Sequence, residues 1–211
     1  MIITDPENIS LKISAIGRAH LNKFFGKDVP DQKLAALVGA LDESIITLTP
    51  LGKGFVSFAK HEYIIEQTRI GCSDSKQGLF ITNDFFQLSG DAPNRTGLIS
   101  FARQVKAARE LGFSFIRTRA EGSPNDPDGF NGYYVWARYG YDALLEQEFL
   151  SKLPKRFGKC ISLNDLMLHG GKNWWRRHGS ACDMIFSLSE DEPSLTVLRN
   201  YLVEKEMEID L

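Results

Sequence analysis

Between Ser44 and Gly90 the side-chain pattern takes a period of two, four times in succession. Residues 45–50, 54–60, 62–71 and 78–90 are rich in Ile, Phe, Thr and Val. A period of two sends alternate side chains to opposite faces of a sheet, and these residue types favour strands. The separators Pro50–Gly54 and Ser73–Gly78 supply the Gly, Pro, Asp and Ser that tight connections need. Four short strands joined in this way predict an antiparallel meander.

Helical patterns flank it. Residues 1–40 read as helical, with a first helix over Arg18–Phe25 that ends at Gly26. Asp31 is a candidate N-cap for residues 32–41, where Leu34, Leu37, Val38 and Leu41 recur at helical spacing. After the turn-rich Asp91–Gly97, residues 98–111 form a strong helical pattern. Ile99, Ala102, Val105 and Ala108 share one face, Arg103, Lys106, Arg109 and Glu110 lie mostly away from it, and Gly112 suits the C′ position. Residues 113–120 read as a buried strand, and a strand–helix–strand connection predicts that it runs parallel to the last strand of the meander.

A polar loop, Glu121–Gly129, follows. Then come a short helix over Asn131–Tyr139, a helix over 143–152, a helix after Ser162, a strand over 182–188 and a helix over 194–207. The expected fold is α+β: a mixed, mostly antiparallel sheet flanked by helices, with an α/β elaboration at the C-terminal end. Residues 1–157 are expected to form the main domain (core 44–145), with 158–211 packed on it.

The chain has 211 residues, of which 43% are hydrophobic and 25% charged, so it can build a core and is not expected to be disordered. Lys and Arg number 25 against 27 Asp and Glu, a net charge of −2, which argues against a domain built to hold duplex nucleic acid. No apolar run reaches the roughly 18 residues of a membrane-spanning helix. Asp5 and Glu7 stand where a secretory leader carries positive charge, and Cys72, Cys160 and Cys182 are scattered. Reduced thiols and a cytoplasmic location are expected. No metal is expected: His20, His61, His169 and His178 lack the spacing of a ligand pair, and Asp126 and Asp128, with Pro127 between them and no distal Glu, read as a turn.

The strand Leu79–Gly90, the loop and helix Pro93–Phe113, the strand Ser114–Ala120 and the element Asn131–Ala143 together resemble the GNAT family of N-acyltransferases. The resemblance covers roughly residues 44–145 and ends in a Tyr-Gly-Tyr run, Tyr139–Tyr141, similar to the family's closing motif. It implies acetyl-CoA as co-substrate and an amine, on a small molecule or a protein, as acceptor. It places the pyrophosphate on Asn94, Arg95, Thr96 and Gly97, at a helix N-terminus whose N–H groups and partial positive charge suit an anion. Arg103, two turns on, is in reach of the same anion or lies on a solvated face. Backbone donors from Phe85, Phe86, Gln87 and Leu88 are expected to polarise the thioester carbonyl. Asp84 or Glu66 is the expected general base, and Tyr133 or Tyr134 the expected acid.

The chain departs from the family pattern at Ile99, where a small residue is usual, and at Trp136, which takes the place of the family's acidic Tyr. These departures motivate a second reading, a binding or assembly module that keeps the fold without the chemistry. Its surface is expected at Trp174, Trp175, Arg176 and Arg177, either as exposed aromatics among cations or as an amphipathic helix docked through one Trp. Stacking on single-stranded nucleic acid is a weaker use of the same patch.

Overall fold

The computed structural model describes residues 1–126 and 129–211. Among these residues seven strands build a mixed, mostly antiparallel sheet flanked by helices, the α+β architecture expected from the patterning. The chain divides into two compact units, Met1–Ser114 with Met207–Leu211, and Phe115–Glu206.

The first unit opens with β1 (Ser10–Lys12), which runs parallel to β2 (Ile45–Leu51). This strand lies where a helical reading was expected. Three residues are too few to display a period, so only pairing with β2 reveals it. Helix α1 (Ala15–Phe25) starts earlier than its apolar pattern, because the Ser14 hydroxyl accepts from Gly17 N at 3.0 Å and caps it. It ends as expected at Gly26, in the left-handed conformation with φ 68°. In α2 (Asp31–Leu37) the cap position falls on Pro30, and Asp31 sits in the first turn, bonded to Arg18. Proline's fixed φ suits that boundary, and a first-turn carboxylate is favoured by the helix dipole.

The meander follows the period-two pattern. Strands β2, β3 (Gly54–Lys60), β4 (Ile64–Asp74) and β5 (Gly78–Leu88) pair antiparallel in sequence order. Leu51 pairs with Gly54 across a two-residue turn. At the next turn the Asp74 carboxylate accepts from Lys76 N at 2.8 Å and Gln77 N at 3.0 Å. The β4–β5 ladder slips twice, between Ile64 and Glu66 and between Thr68 and Arg69. Because Thr68 pairs with Phe85 and Arg69 with Asn83, the second slip leaves Asp84 outside the ladder as a bulge.

Helix α3 (Thr96–Glu110) differs from the one-faced helix expected: Ser100, Arg103 and Gln104 are as buried as Phe101 and Val105. Each of the three is bonded, which removes most of the penalty for burial. Ser100 donates to Gly39 O at 2.6 Å, and Gln104 exchanges amide bonds with Asn83 at 2.8 and 2.9 Å. Gly39 has φ 72°, and a Cβ there would stand 2.8 Å from Ser100 Oγ, so the approach requires glycine.

Strand β6 (Phe113–Ala120) carries the chain into the second unit, where Phe115–Ala120 pairs antiparallel with β7 (Cys182–Ser187). Between them lie α4 (Gly132–Arg138), α5 (Gln147–Lys152), α6 (Leu163–Leu168) and α7 (Lys172–His178), and α8 (Pro193–Glu204) follows. Helix α5 is four residues shorter at its start than the 143–152 expected. Leu145 N donates to Ile161 O at 2.8 Å and Leu163 N to Ala143 O at 3.0 Å, so this stretch is committed to extended pairing. Ser162 caps α6 through Asp165 N at 3.3 Å, as its position after a loop foretold. No helix among the described residues is long and apolar enough to cross a membrane.

Candidate functional site

In the first unit the residues singled out from sequence gather along β5 and the start of α3. Asp84 is exposed at the bulge, and Glu66 is exposed on β4, paired with Gln87. Phe85, Phe86 and Leu88 are half-buried and Gln87 is exposed. Under the bulge lies a residue that the sequence reading did not single out. Arg69, 2% exposed, donates from Nη1 to Phe85 O at 2.7 Å and to Thr68 O at 3.2 Å, and stacks 4.9 Å from the Phe86 ring centroid. A buried guanidinium thus braces the irregular stretch of β5. The available signal was an Arg inside an otherwise strand-like run, at a position that alternation sends to the same face as Gln67.

The loop before α3 has an unusual geometry. Arg95 occupies the N-cap position in the left-handed conformation, φ 80°, and no side chain caps the helix. Thr96 N donates to Pro93 O at 3.2 Å and Ile99 N to Arg95 O at 2.9 Å, so the N–H groups that lack both an intrahelical partner and a side-chain cap are those of Gly97 and Leu98. Asn94 and Arg95 are exposed and Gly97 is buried. Thr96 is turned back on the loop, its hydroxyl donating to Pro93 O at 2.7 Å.

Arg103 does not lie on a solvated face. Its Nε donates to Thr4 O at 2.7 Å, Nη1 to Ala40 O at 3.2 Å and Nη2 to Asp42 at 2.9 Å. Each nitrogen of the guanidinium is engaged in holding α3 to the N-terminal segment.

In the second unit, Tyr133 and Tyr134 line a cavity of about 400 Å³ together with Asn131, Asp126, Arg138 and Arg176. Tyr133 is buried, and its hydroxyl donates to Arg176 O at 2.7 Å. Burial holds its pKa above the usual phenol value, with the Arg176 charge opposing. Tyr134 is half-buried, its ring centroid 4.9 Å from the Arg138 guanidinium and 5.7 Å from that of Arg176. Trp136 packs edge-on against Tyr139 and Tyr141 at 5.8 and 5.3 Å, a structural stack.

The Trp174–Arg177 run differs from a surface of exposed aromatics. Trp174 is 6% and Trp175 2% exposed, so α7 presents Arg176 and Arg177 outward and keeps both indoles inside. Asp126 accepts from Phe130 N at 3.1 Å, in keeping with a turn; Asp128, the second aspartate of that loop, lies outside the described residues. Neither a protein-family model nor a curated protein sequence matches the chain.

Proposed function

We propose that the chain is an N-acetyltransferase of the kind the GNAT resemblance implies, taking acetyl-CoA as co-substrate and an amine, on a small molecule or a protein, as acceptor. The observation that carries the reading is the bulge at Asp84, on the strand that leads into α3. A bulge frees a backbone donor from the ladder, and such a donor can face a developing oxyanion without further reorganisation. The uncapped α3 N-terminus and the left-handed Arg95 are features of the same short stretch, and both suit an incoming pyrophosphate.

Acetyl-CoA supplies its acetyl group as a thioester. The backbone of Phe85–Leu88 polarises the thioester carbonyl, and the acceptor nitrogen forms the new C–N bond as the C–S bond breaks. Asp84, or Glu66 through water, takes the proton that the amine loses. Of the two tyrosines expected as the acid, Tyr133 already has its hydroxyl committed to Arg176 O. Arg103 is left out of the phosphate-binding set, since each of its three guanidinium nitrogens is already engaged.

Calorimetry with acetyl-CoA tests the reading, with the parent compared against Gly97→Trp. Saturable binding that the substitution abolishes supports it and justifies a screen of amines. No binding by a demonstrably folded protein retires it. The second reading, a module without chemistry, draws on Ile99 and Trp136 and is the outcome in that case.

A further inference from the structure

The geometry points to a phosphate-binding site in the second unit, built on Arg138 and Arg176 in the 400 Å³ cavity beside Tyr134. It goes beyond the acyltransferase reading and does not depend on it.

Two guanidinium groups flank one ring here, 4.9 Å (Arg138) and 5.7 Å (Arg176) from the Tyr134 centroid. Stacking on an aromatic face holds a guanidinium flat but satisfies none of its N–H donors in the ring plane. Arg138 is sandwiched further, with the Tyr201 centroid 4.4 Å away, and its Nε is buried with no partner among the described residues. Leaving such a donor unmet costs free energy.

No carboxylate among the described residues forms an ion pair with either arginine. Among the described residues that line the smaller neighbouring cavity the one acid beside Arg138 is Glu204, and it is taken on both oxygens, by Lys172 at 2.8 Å and Lys205 at 3.3 Å. On the larger cavity's wall Asp126 offsets one of the two positive charges and accepts from Phe130 N. The lining described therefore keeps a positive excess. Asn131 and Tyr134 are neutral polar residues of the same lining.

The class of ligand follows from the donor geometry. A planar carboxylate is matched by one guanidinium fork, whereas a tetrahedral phosphate can accept from two forks that approach from different directions. A cavity of this volume suits a small molecule. The expected ligand is thus a small phosphorylated metabolite held by its phosphate, with Arg138 as the preset donor and Arg176, which is exposed, closing from the rim.

Titration with inorganic phosphate at low ionic strength, followed calorimetrically and by nuclear magnetic resonance of the Arg side chains, tests the site. Saturable binding at millimolar or lower concentration is expected, weakened at least tenfold by both Arg138→Gln and Arg176→Gln. Arg177→Gln, on the same helix but outside the cavity lining, should leave the affinity within twofold. Because Arg176 is exposed, its variant is expected to fold even if the Arg138 variant does not. The proposal is overturned by absent saturation, by equal losses in the Arg176 and Arg177 variants, or by acetate binding as tightly as phosphate.

Discussion

Trp175 donates its indole N–H to the Tyr133 carbonyl at 2.9 Å, and Tyr133 in turn donates its hydroxyl to the carbonyl of Arg176 at 2.7 Å. Helices α4 and α7 are thus joined by two bonds running in opposite directions, with Trp175 2% exposed between them. The Phe149 ring packs edge-on against the same indole at 5.1 Å.

Replacing Trp175 by Phe keeps much of the apolar contact and removes the donor. The Tyr133 carbonyl, a helical acceptor in α4, then loses its second bond, at a cost of about 0.5–1.5 kcal/mol. Denaturant unfolding should show a lower midpoint with an unchanged slope. Tyr133→Phe, which removes only the hydroxyl, should cost about 1 kcal/mol. Equal stability of Trp175→Phe and the parent would show that the indole N–H contributes nothing.

Arg103 makes a contrasting case, because its two kinds of partner differ in exposure. The Asp42 side chain is 58% exposed and the Arg103 side chain 6%. Asp42→Asn leaves a solvated acceptor and should change stability by less than about 1 kcal/mol. Arg103→Met strands the carbonyls of Thr4 and Ala40 and should cost about 2–4 kcal/mol in thermal or chemical unfolding. A larger loss from the Asp42 variant would contradict this ordering.

Much of the fold was legible because periodicity reports it directly. The meander, α3 and the Gly26 stop all follow from spacing or from one residue's conformational freedom. What was illegible depends on tertiary pairing. β1 is too short for a pattern, residues 143–145 are drawn into extended pairing, and Ser100, Arg103 and Gln104 are buried because partners elsewhere receive them. The geometry of the candidate sites was legible only in part, for the same reason. Loop composition marks Asn94–Gly97, but the slip that displaces Asp84 is a property of two strands, and the pairing of Arg138 with Arg176 around Tyr134 crosses 38 positions of sequence.

The thiol of Cys182 offers a test by chemistry. Burial first, with neighbouring acids adding to it and Arg119 opposing, pushes its pKa up to about 11. The thiolate is the nucleophile, so alkylation of native Cys182 should be slow at pH 8 and rise about tenfold per pH unit until pH 11 is approached. Mass-spectrometric mapping after timed iodoacetamide exposure reads the rate at each cysteine. Rapid, pH-independent labelling of Cys182 below pH 9 would place it in a different environment.

Asp142 carries the last prediction, on pH. Its carboxylate accepts from Ala143 N at 3.0 Å and Asn164 N at 2.9 Å, yet desolvation outweighs these bonds and raises its pKa in the folded chain. The folded state then binds the proton more tightly than the unfolded state does. Between the two pKa values stability must fall as pH rises, and above both the ionised group carries the whole penalty. Asn keeps an oxygen for both backbone donors and carries no charge to desolvate. Asp142→Asn should accordingly be as stable as the parent or more so at pH 7, with the advantage shrinking as pH falls toward 4. Thermal melts of both proteins across that range decide the matter. A variant less stable at pH 7 would mean that the charge strengthens the two N–H bonds by more than its burial costs.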